Sequence, residues 1–482
     1  VKEELSMTTT RPKNNIEKFL NLFTEVREGE GISAILLLLN LFLIFTSYYI
    51  MKPVREALIL AGGGAEVKSY SSAGQALLFL GIVPLYAGLA SRFPRRQLIN
   101  TVTSVFVGCL AVFYFLALLR VPLGVVFYLW LGIFNMMVPA QFWAFANDIY
   151  TPEAGKRIFV IIALGASSGS VLGGMITGAL IEPLGVYQLL LVAGALLLAS
   201  LVLTNIVDSR DKADSHRTED RTVEVSQPFE RREAFRLVFR TKYLLFIALL
   251  MLFTNWVNTT GEYILGRTVQ NRAEELAGDP EVAKKANEYA YQRLGEGDAK
   301  DETISSVASE YIQSYTEEYI GKFYAKFYTG VNLAGLLVQL FLVSRIIKYL
   351  GIRIALLVLP LIALCGYFVI AFIPIMAIIR WAKTAENSTD YSLQNTVRHA
   401  LFLPTTREEK YKAKQATDTF FVRAGDVFSG VLVLIGTTLF AFRTSQFALF
   451  CIGLIIVWFA LAVVIGIENK KMTERAVESP MV

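Results

Sequence analysis

Predominantly apolar stretches of about twenty residues recur along nearly the whole chain, and no other feature narrows its fold as much. A hydrocarbon core about 30 Å thick is crossed by roughly 20 apolar residues in a helix. Membrane β-barrels show only a weak two-residue alternation instead. The pattern is therefore that of an all-α membrane protein. Composition agrees: 482 residues, 54% of them hydrophobic, with a mean hydropathy of +0.49, would leave a water-soluble globule with far too much apolar surface. The first thirty residues are polar and of mixed charge, and the apolar run after them is too long for a signal-peptide core, so the first helix is expected to stay in the protein. Cys109, Cys365 and Cys451 sit in separate apolar segments and only two histidines occur, so no metal site, disulfide, catalytic residue or cofactor is expected. The net charge of +5 is dispersed through loops, which excludes a nucleic acid polymer as partner and leaves the lipid bilayer itself.

Apolar windows between polar breaks place spans at 32–61, 69–91, 98–120, 122–147, 157–182, 184–207, 241–266, 323–346, 352–373, 374–400, 415–442 and 444–467, twelve transmembrane helices in all. Cytoplasmic loops are enriched in Lys and Arg. Every even-numbered exit is basic: Arg92, Arg95 and Arg96; Lys156 and Arg157; Arg345, Lys348 and Arg353; Arg407, Lys410, Lys412 and Lys414; Lys470, Lys471 and Arg475. The intervening loops hold little beyond Lys68, Arg120 and Arg443. A multi-pass protein of the cell inner membrane with both termini cytoplasmic is expected, and a monomer.

The charged stretch 208–240 divides the spans into two six-helix halves, 32–207 and 241–467, flanked by cytoplasmic segments 1–31 and 468–482. “GLASRFPRRQLI” after span two has a counterpart in “LVSRIIKYLGIRIAL” after span eight. Two six-helix parallel repeats are the architecture of major facilitator-like transporters, although Ser91 and Pro94 stand where that group's loop signature has an acid and a glycine. Residues 268–322, charged and rich in helix formers, are expected to form two or three amphipathic helices on the extracytoplasmic side, either a solvated cap or a gate or partner surface.

Charges at bilayer depth normally face a bundle interior or a watery cavity. Tyr48, Lys52, Arg55 and Ile59 share one helical stripe, with Glu56 beside Arg55 and Pro53 bending the helix. Either the stripe faces a cavity, or Lys52 and Arg55 snorkel to headgroups. Span seven aligns Asn255, Asn258 and Glu262, a substrate, cation or proton site, or else a pairing with Arg267 or Arg55. Span ten aligns Lys383, Asn387, Asp390 and Gln394, flanked by Arg380, Glu386 and Arg398, which is tolerable only if it lines water. Span eleven aligns Thr419, Arg423, Asp426 and Gly430, where Arg423 and Asp426 either pair internally or meet substrate. Span four adds Asn135, Gln141, Asn147 and Asp148, the last two as gate or cap. Tyr48, Tyr49 and Trp256 are candidates to stack on a flat ring. The small residues of “GASSGSVLGG” in span five suit close helix packing.

“FWAFANDIYTPEAGKRIFVIIALGASSG” (Phe142 to Gly169) and “YSLQNTVRHALFLPTTREEKYKAKQATDTF” (Tyr391 to Phe420) resemble the ATP/ADP translocase family, the nucleotide transporters of plastids and obligate intracellular bacteria. The resemblance runs over all twelve spans and includes “MKPVREALIL”. It implies a major facilitator-like fold and exchange of adenine nucleotides or proton-linked nucleotide import. It places the family's basic residue of span one on Arg55 and its carboxylate of span seven on Glu262. Two positions depart: the acid of span four falls near Leu131, and the base of span eleven falls on Asp426, with Arg423 one turn away. Fold and transporter class are thus implied, and the substrate stays open.

Converging arginine and lysine side chains suit an anion. The reading is a secondary active transporter, not an enzyme, that moves a phosphorylated, nucleotide-like anion by alternating access, in exchange or coupled to protons. Lys52, Arg55, Asn255, Asn258, Glu262, Lys383, Asn387 and Arg423 are the candidate substrate-binding residues, and Glu56, Asp148, Asp390 and Asp426 the candidate coupling or gating residues. No phosphate-binding loop of the ATPase type occurs. The alternatives are a transporter of a lipid-like or other organic anion, and a membrane receptor or scaffold that uses 268–322.

Overall fold

The computed structural model describes residues 17, 26–27, 30–90, 92–215, 231–294, 301–406, 409 and 413–478. Ser91, residues 216–230 of the expected linker 208–240, Arg407, Lys410 and Lys412 lie outside the described residues, as do the side chains of Lys156 and Arg475; the linker's ends are helical, in α6 and α7. The described part is helical: α1 (Glu30–Gly62), α2 (Gly64–Ala90), α3 (Arg95–Leu118), α4 (Gly124–Ile149), α5 (Pro152–Leu184), α6 (Gln188–Ser215), α7 (Arg231–Arg240), α8 (Lys242–Ala277), α9 (Pro280–Leu294), α10 (Asp301–Val338), α11 (Ser344–Phe372), α12 (Met376–Thr389), α13 (Asn395–Ala400), α14 (Val422–Thr438) and α15 (Thr444–Glu478). Single π-helical turns, Gln339–Val343, Asp390–Gln394 and Thr417–Phe421, interrupt or precede helices in the C-terminal half.

Nine of the described helices are long and apolar enough to cross a membrane, and one of these, Asp301–Phe372, is a composite of two. It breaks at Gly351, whose φ of 76° is open to glycine and strained for other residues, so the chain turns there between the expected spans eight and nine. α2 and the run Met376–Ala400 supply the two remaining spans. Ser69, Ser72 and Gln75 make the first half of α2 polar, and Lys383, Glu386 and Asn387 do the same in α12. Proline inside α1, α2, α4, α5 and α11 is tolerated because neighbouring helices and adjusted turns satisfy the freed carbonyls.

The fold is the expected bundle of two six-helix halves. In the N-terminal half α1 packs on α5 and α6. A Cβ built on Gly165, Gly169 or Gly173 would fall on the backbone carbonyl oxygens of Leu38, Phe42 and Thr46, so this glycine row sets the α1–α5 distance. Polar buttons fasten α1 to α6: Asn40 donates to Thr204 at 2.7 Å and accepts from Ser200 at 2.7 Å, and Ser47 donates to the Ala193 carbonyl at 2.9 Å. In the C-terminal half α8 packs on α14 and α15, with Gly425 against the Leu252 carbonyl and the Trp256 amide. The halves meet along α1–α10, α5–α10, α2–α14 and α2–α8.

Segment 268–322 consists of the end of α8, then α9, then the first turns of α10, and forms a small cap with its own core of Ala286, Ala290, Val307 and Ala308. Glu317 stands buried at its base, where Tyr187 and Gln313 donate to the carboxylate at 3.2 and 3.1 Å. Burial pushes its pKa up from 4.5 to about 7, the two donors pulling weakly the other way. A raised carboxylate pKa contributes stability that is complete below the unfolded value and is lost as pH rises through the folded one. Thermal stability of the wild type is therefore expected to fall between pH 5 and pH 8 by roughly 1–3 kcal/mol from this group. Glu317→Gln should flatten that slope, which a pH series of melting curves in detergent would read.

Candidate functional site

A cavity of about 370 Å³ lies between the halves. Its N-terminal wall comes from α1 (Tyr48, Lys52, Arg55), α2 (Lys68, Ser69, Ser72, Gln75) and α4 (Tyr128, Gly132, Asn135, Met136). Its C-terminal wall comes from α8 (Asn258, Thr259, Glu262, Tyr263), Tyr328 of α10, Tyr391 of the second π turn, and Arg423 and Asp426 of α14. Helical spacing explains the set. Tyr48, Lys52 and Arg55 are four and three apart, as are Lys68, Ser72 and Gln75, so each helix turns a single stripe inward.

The carboxylates and cations form an alternating chain across the molecule. Glu56, fully buried, is bracketed by Arg55 and by Lys68 at 2.7 Å, and accepts from the Tyr328 hydroxyl at 3.2 Å. Lys68 stands 3.9 Å from Glu262 of the other half. Glu262 accepts from Asn387 at 2.9 Å and lies 3.9 Å from Lys383, which donates to Asn258 at 2.9 Å and pairs with Glu386 at 3.0 Å. Asp426 accepts from Asn255 and Thr259, both at 2.8 Å, and pairs with Arg423 at 3.2 Å. A buried charge requires such partners. Lys52 has none: among the described residues no carboxylate comes within ion-pair distance, and its ammonium instead stands 4.0 Å from the Tyr328 ring centre, 5.2 Å from Tyr49 and 5.9 Å from Tyr391. Five cations around the cavity, Lys52, Arg55, Lys68, Lys383 and Arg423, face four carboxylates, Glu56, Glu262, Glu386 and Asp426. The excess positive charge rests on Lys52.

The cavity is sealed toward the face that bears 268–322. There Gln270 accepts from the Ala65 amide at 2.8 Å, the Tyr263 hydroxyl donates to Glu66 at 2.8 Å, and Arg267 reaches Glu66 at 4.0 Å. Toward the opposite face exposure rises: the Arg423 side chain is 38% exposed, against 7% for Lys68.

Several candidates sit elsewhere. Asp148 pairs with Arg95 at 2.5 Å at the end of α4, outside the cavity. Asp390 pairs with Arg398 at 3.4 Å in the second π turn. Asn255, Lys383 and Asn387 stand behind the wall and act on it through Asp426, Asn258 and Glu262. Ile59 is packed in the core, and Trp256 leans on Phe428. Glu262 pairs with neither Arg267 nor Arg55. Arg267 donates to Tyr263 and to the Phe442 carbonyl. One correction concerns Lys68, which reads as a loop cation when span two is started at 69. The helix begins at Gly64, and Lys68 is buried within it, at the junction of the halves. Its spacing of four and then three residues to Ser72 and Gln75 was the available signal.

The Major Facilitator Superfamily profile matches residues 37–266, just short of half the chain. No curated protein matches by sequence. Among solved structures the chain is similar to the nucleoside transporter NupG, at 12% identity and a TM-score of 0.55 over 92% of this chain and 99% of that one. It is also similar to a POT family transporter in complex with 5-aminolevulinic acid, at 14% identity and 0.59 over 91% and 96%. A third similar structure is a bacterial homolog to the human lysosomal transporter Spinster, in an inward-facing and unoccupied conformation, at 13% and 0.52 over 92% and 98%. The chain has the major facilitator fold.

Proposed function

We propose that this chain is a secondary transporter that moves a small organic anion across the membrane by alternating access. The observation that carries the reading is the central cavity, built by both halves, lined by four cations, and spanned by contacts between the halves toward the face that bears 268–322. Lys52 is the primary anion contact because its charge is otherwise uncompensated, and Arg55 and Arg423 approach the same space while tied to carboxylates. Opening the sealed face requires Glu66 to leave Tyr263 and Arg267, Ala65 to leave Gln270, and Lys68 to part from Glu262, each a contact between halves. Glu262 and Asp426 are the groups through which protons could couple to that motion. In this reading the protein is a monomer in the cell inner membrane, and the linker face is cytoplasmic, as the basic exits of the even spans suggest.

A phosphorylated, nucleotide-like substrate is the more specific form of the reading. It is supported by the five tyrosine rings on the cavity wall, Tyr48, Tyr128, Tyr263, Tyr328 and Tyr391, which offer stacking surfaces, and by the nucleoside transporter among the similar folds. One excess positive charge favours a monophosphate over a triphosphate, since each added negative charge would face Glu262 and Asp426 uncompensated.

The test is counterflow in proteoliposomes with labelled nucleoside monophosphates and other small anions, with and without a proton gradient. Lys52→Gln is expected to lower flux at least ten-fold while the protein stays folded, because the lysine holds no other side chain in place through an ion pair. Wild-type flux in Lys52→Gln would remove the anion role given to this residue.

A further inference from the structure

The charged groups on the cavity wall are segregated. Three of the four lining cations, Lys52, Arg55 and Lys68, belong to the N-terminal half, and both lining carboxylates, Glu262 and Asp426, belong to the C-terminal half. Most of these groups are saturated. Arg55 and Lys68 share Glu56, and Asp426 takes two hydrogen bonds and an ion pair. Two are not. Lys52 has no carboxylate partner. Glu262, 23% exposed, commits one oxygen to Asn387, and its other oxygen has, among the described residues, only the Lys68 ammonium at 3.9 Å, beyond hydrogen-bond reach. The cavity thus offers one open cation on one wall and one open carboxylate oxygen on the other.

A ligand with negative charge alone would satisfy Lys52 and be repelled by Glu262. A ligand with an anionic group at one end and an ammonium at the other satisfies both, and bridges the two halves in doing so. We infer that the substrate is a small amino-bearing anion, a zwitterion whose carboxylate or phosphate meets Lys52 and whose ammonium meets the free oxygen of Glu262. The inference rests on the transporter reading above and narrows it. It also gives the substrate a mechanical role. In the sealed state Lys68 of the N-terminal half is the cation nearest that oxygen of Glu262, and a ligand ammonium there competes with Lys68 for it. Binding would then loosen a contact that must break before the sealed face opens.

Matched pairs of probes decide it. Straight-chain α,ω-amino acids and aminoalkylphosphonates of two to six carbons are compared with the same acids lacking the amine, with adenosine monophosphate as the nucleotide arm. The full-length protein is used, by thermal shift in detergent and by counterflow in liposomes. At least one amino-bearing probe is expected to bind ten-fold or more tighter than its des-amino partner, and Glu262→Gln should shrink that ratio to within two-fold without weakening the des-amino partner. The carboxylate and phosphonate series separate the two kinds of anionic end. Equal handling of both members of every pair, or a preference unchanged in Glu262→Gln, overturns the inference and leaves the transporter reading standing. If Glu262 served proton coupling alone, Glu262→Gln would abolish gradient-driven accumulation of every probe with exchange and selectivity intact, which also overturns it. No binding or flux with any probe, adenosine monophosphate included, overturns the transporter reading with it. The wild-type comparison of pairs needs no variant to fold.

Discussion

Glu56→Ala is expected to cost about 3–5 kcal/mol of stability, the range for removing one partner from a buried ion pair and leaving the other charge uncompensated. The position is extreme because two cations depend on it. One oxygen takes Arg55 and the Tyr328 hydroxyl, the other takes Lys68, and the side chain is fully buried. Alanine leaves a guanidinium and an ammonium side by side in a wall with little water to screen them. Glu56→Gln keeps the shape and some hydrogen bonding and should fall between alanine and wild type. Pairing Glu56→Gln with Lys68→Met removes one charge of each sign and should recover part of the loss. Heating in detergent, followed by the fraction that remains monodisperse, reads all three. A melting temperature for Glu56→Ala equal to that of the wild type would mean that Arg55 and Lys68 find water or other anions without it.

Gly169→Ala and Gly108→Ala form the second test, on the same chemistry with opposite outcomes. Both glycines lie in membrane helices. A Cβ on Gly169 falls on the Phe42 carbonyl, whereas nothing lies within 4 Å of a Cβ on Gly108. The obstacle at Gly169 is backbone, so only separation of α1 from α5 relieves it, and α1 also carries Lys52, Arg55 and Glu56. A loss of about 3 kcal/mol is expected, at the upper end for overpacking. Transport should fall with it even below the melting temperature, since a displaced α1 moves the anion contacts. Gly108→Ala should be neutral or slightly stabilising, by helix propensity of up to about 1 kcal/mol. Equal effects at the two sites would show that the glycine row does not set the helix spacing.

Much of the fold was legible because the bilayer demands it. A helix must be long and apolar to cross, and Lys and Arg collect at its ends, so the all-helical, two-part membrane architecture follows from runs of residue types. The span that hydropathy marks least clearly, Met376–Ala400, carries buried charge, as Lys383 and Glu386 show. Stripe spacing also put Tyr48, Lys52 and Arg55 on one face of α1 and Asn258 and Glu262 on one face of α8, since a helix repeats every 3.6 residues, whereas Ile59 and Asn255 of the same stripes stand off the cavity.

What the spacing could not reveal is who faces whom. Period and hydropathy describe one helix at a time, and they already determined that this chain is a two-part helical membrane bundle with charges turned inward. The pairings belong to a different scale. Lys68 meets both Glu56 and Glu262, Asn387 meets Glu262 from 125 residues away, and of the described cations around the cavity Lys52 alone is left to tyrosines. Those assignments depend on the rotation and separation of neighbouring helices, set by contacts such as Gly169 on Phe42 and Gly425 on Trp256. An ångström of helix spacing or a few tens of degrees of rotation exchanges one partner for another, because charge–charge contacts at low dielectric are decided at 3 to 4 Å. Only the packed structure could decide which charges neutralise one another and which are left over for a ligand.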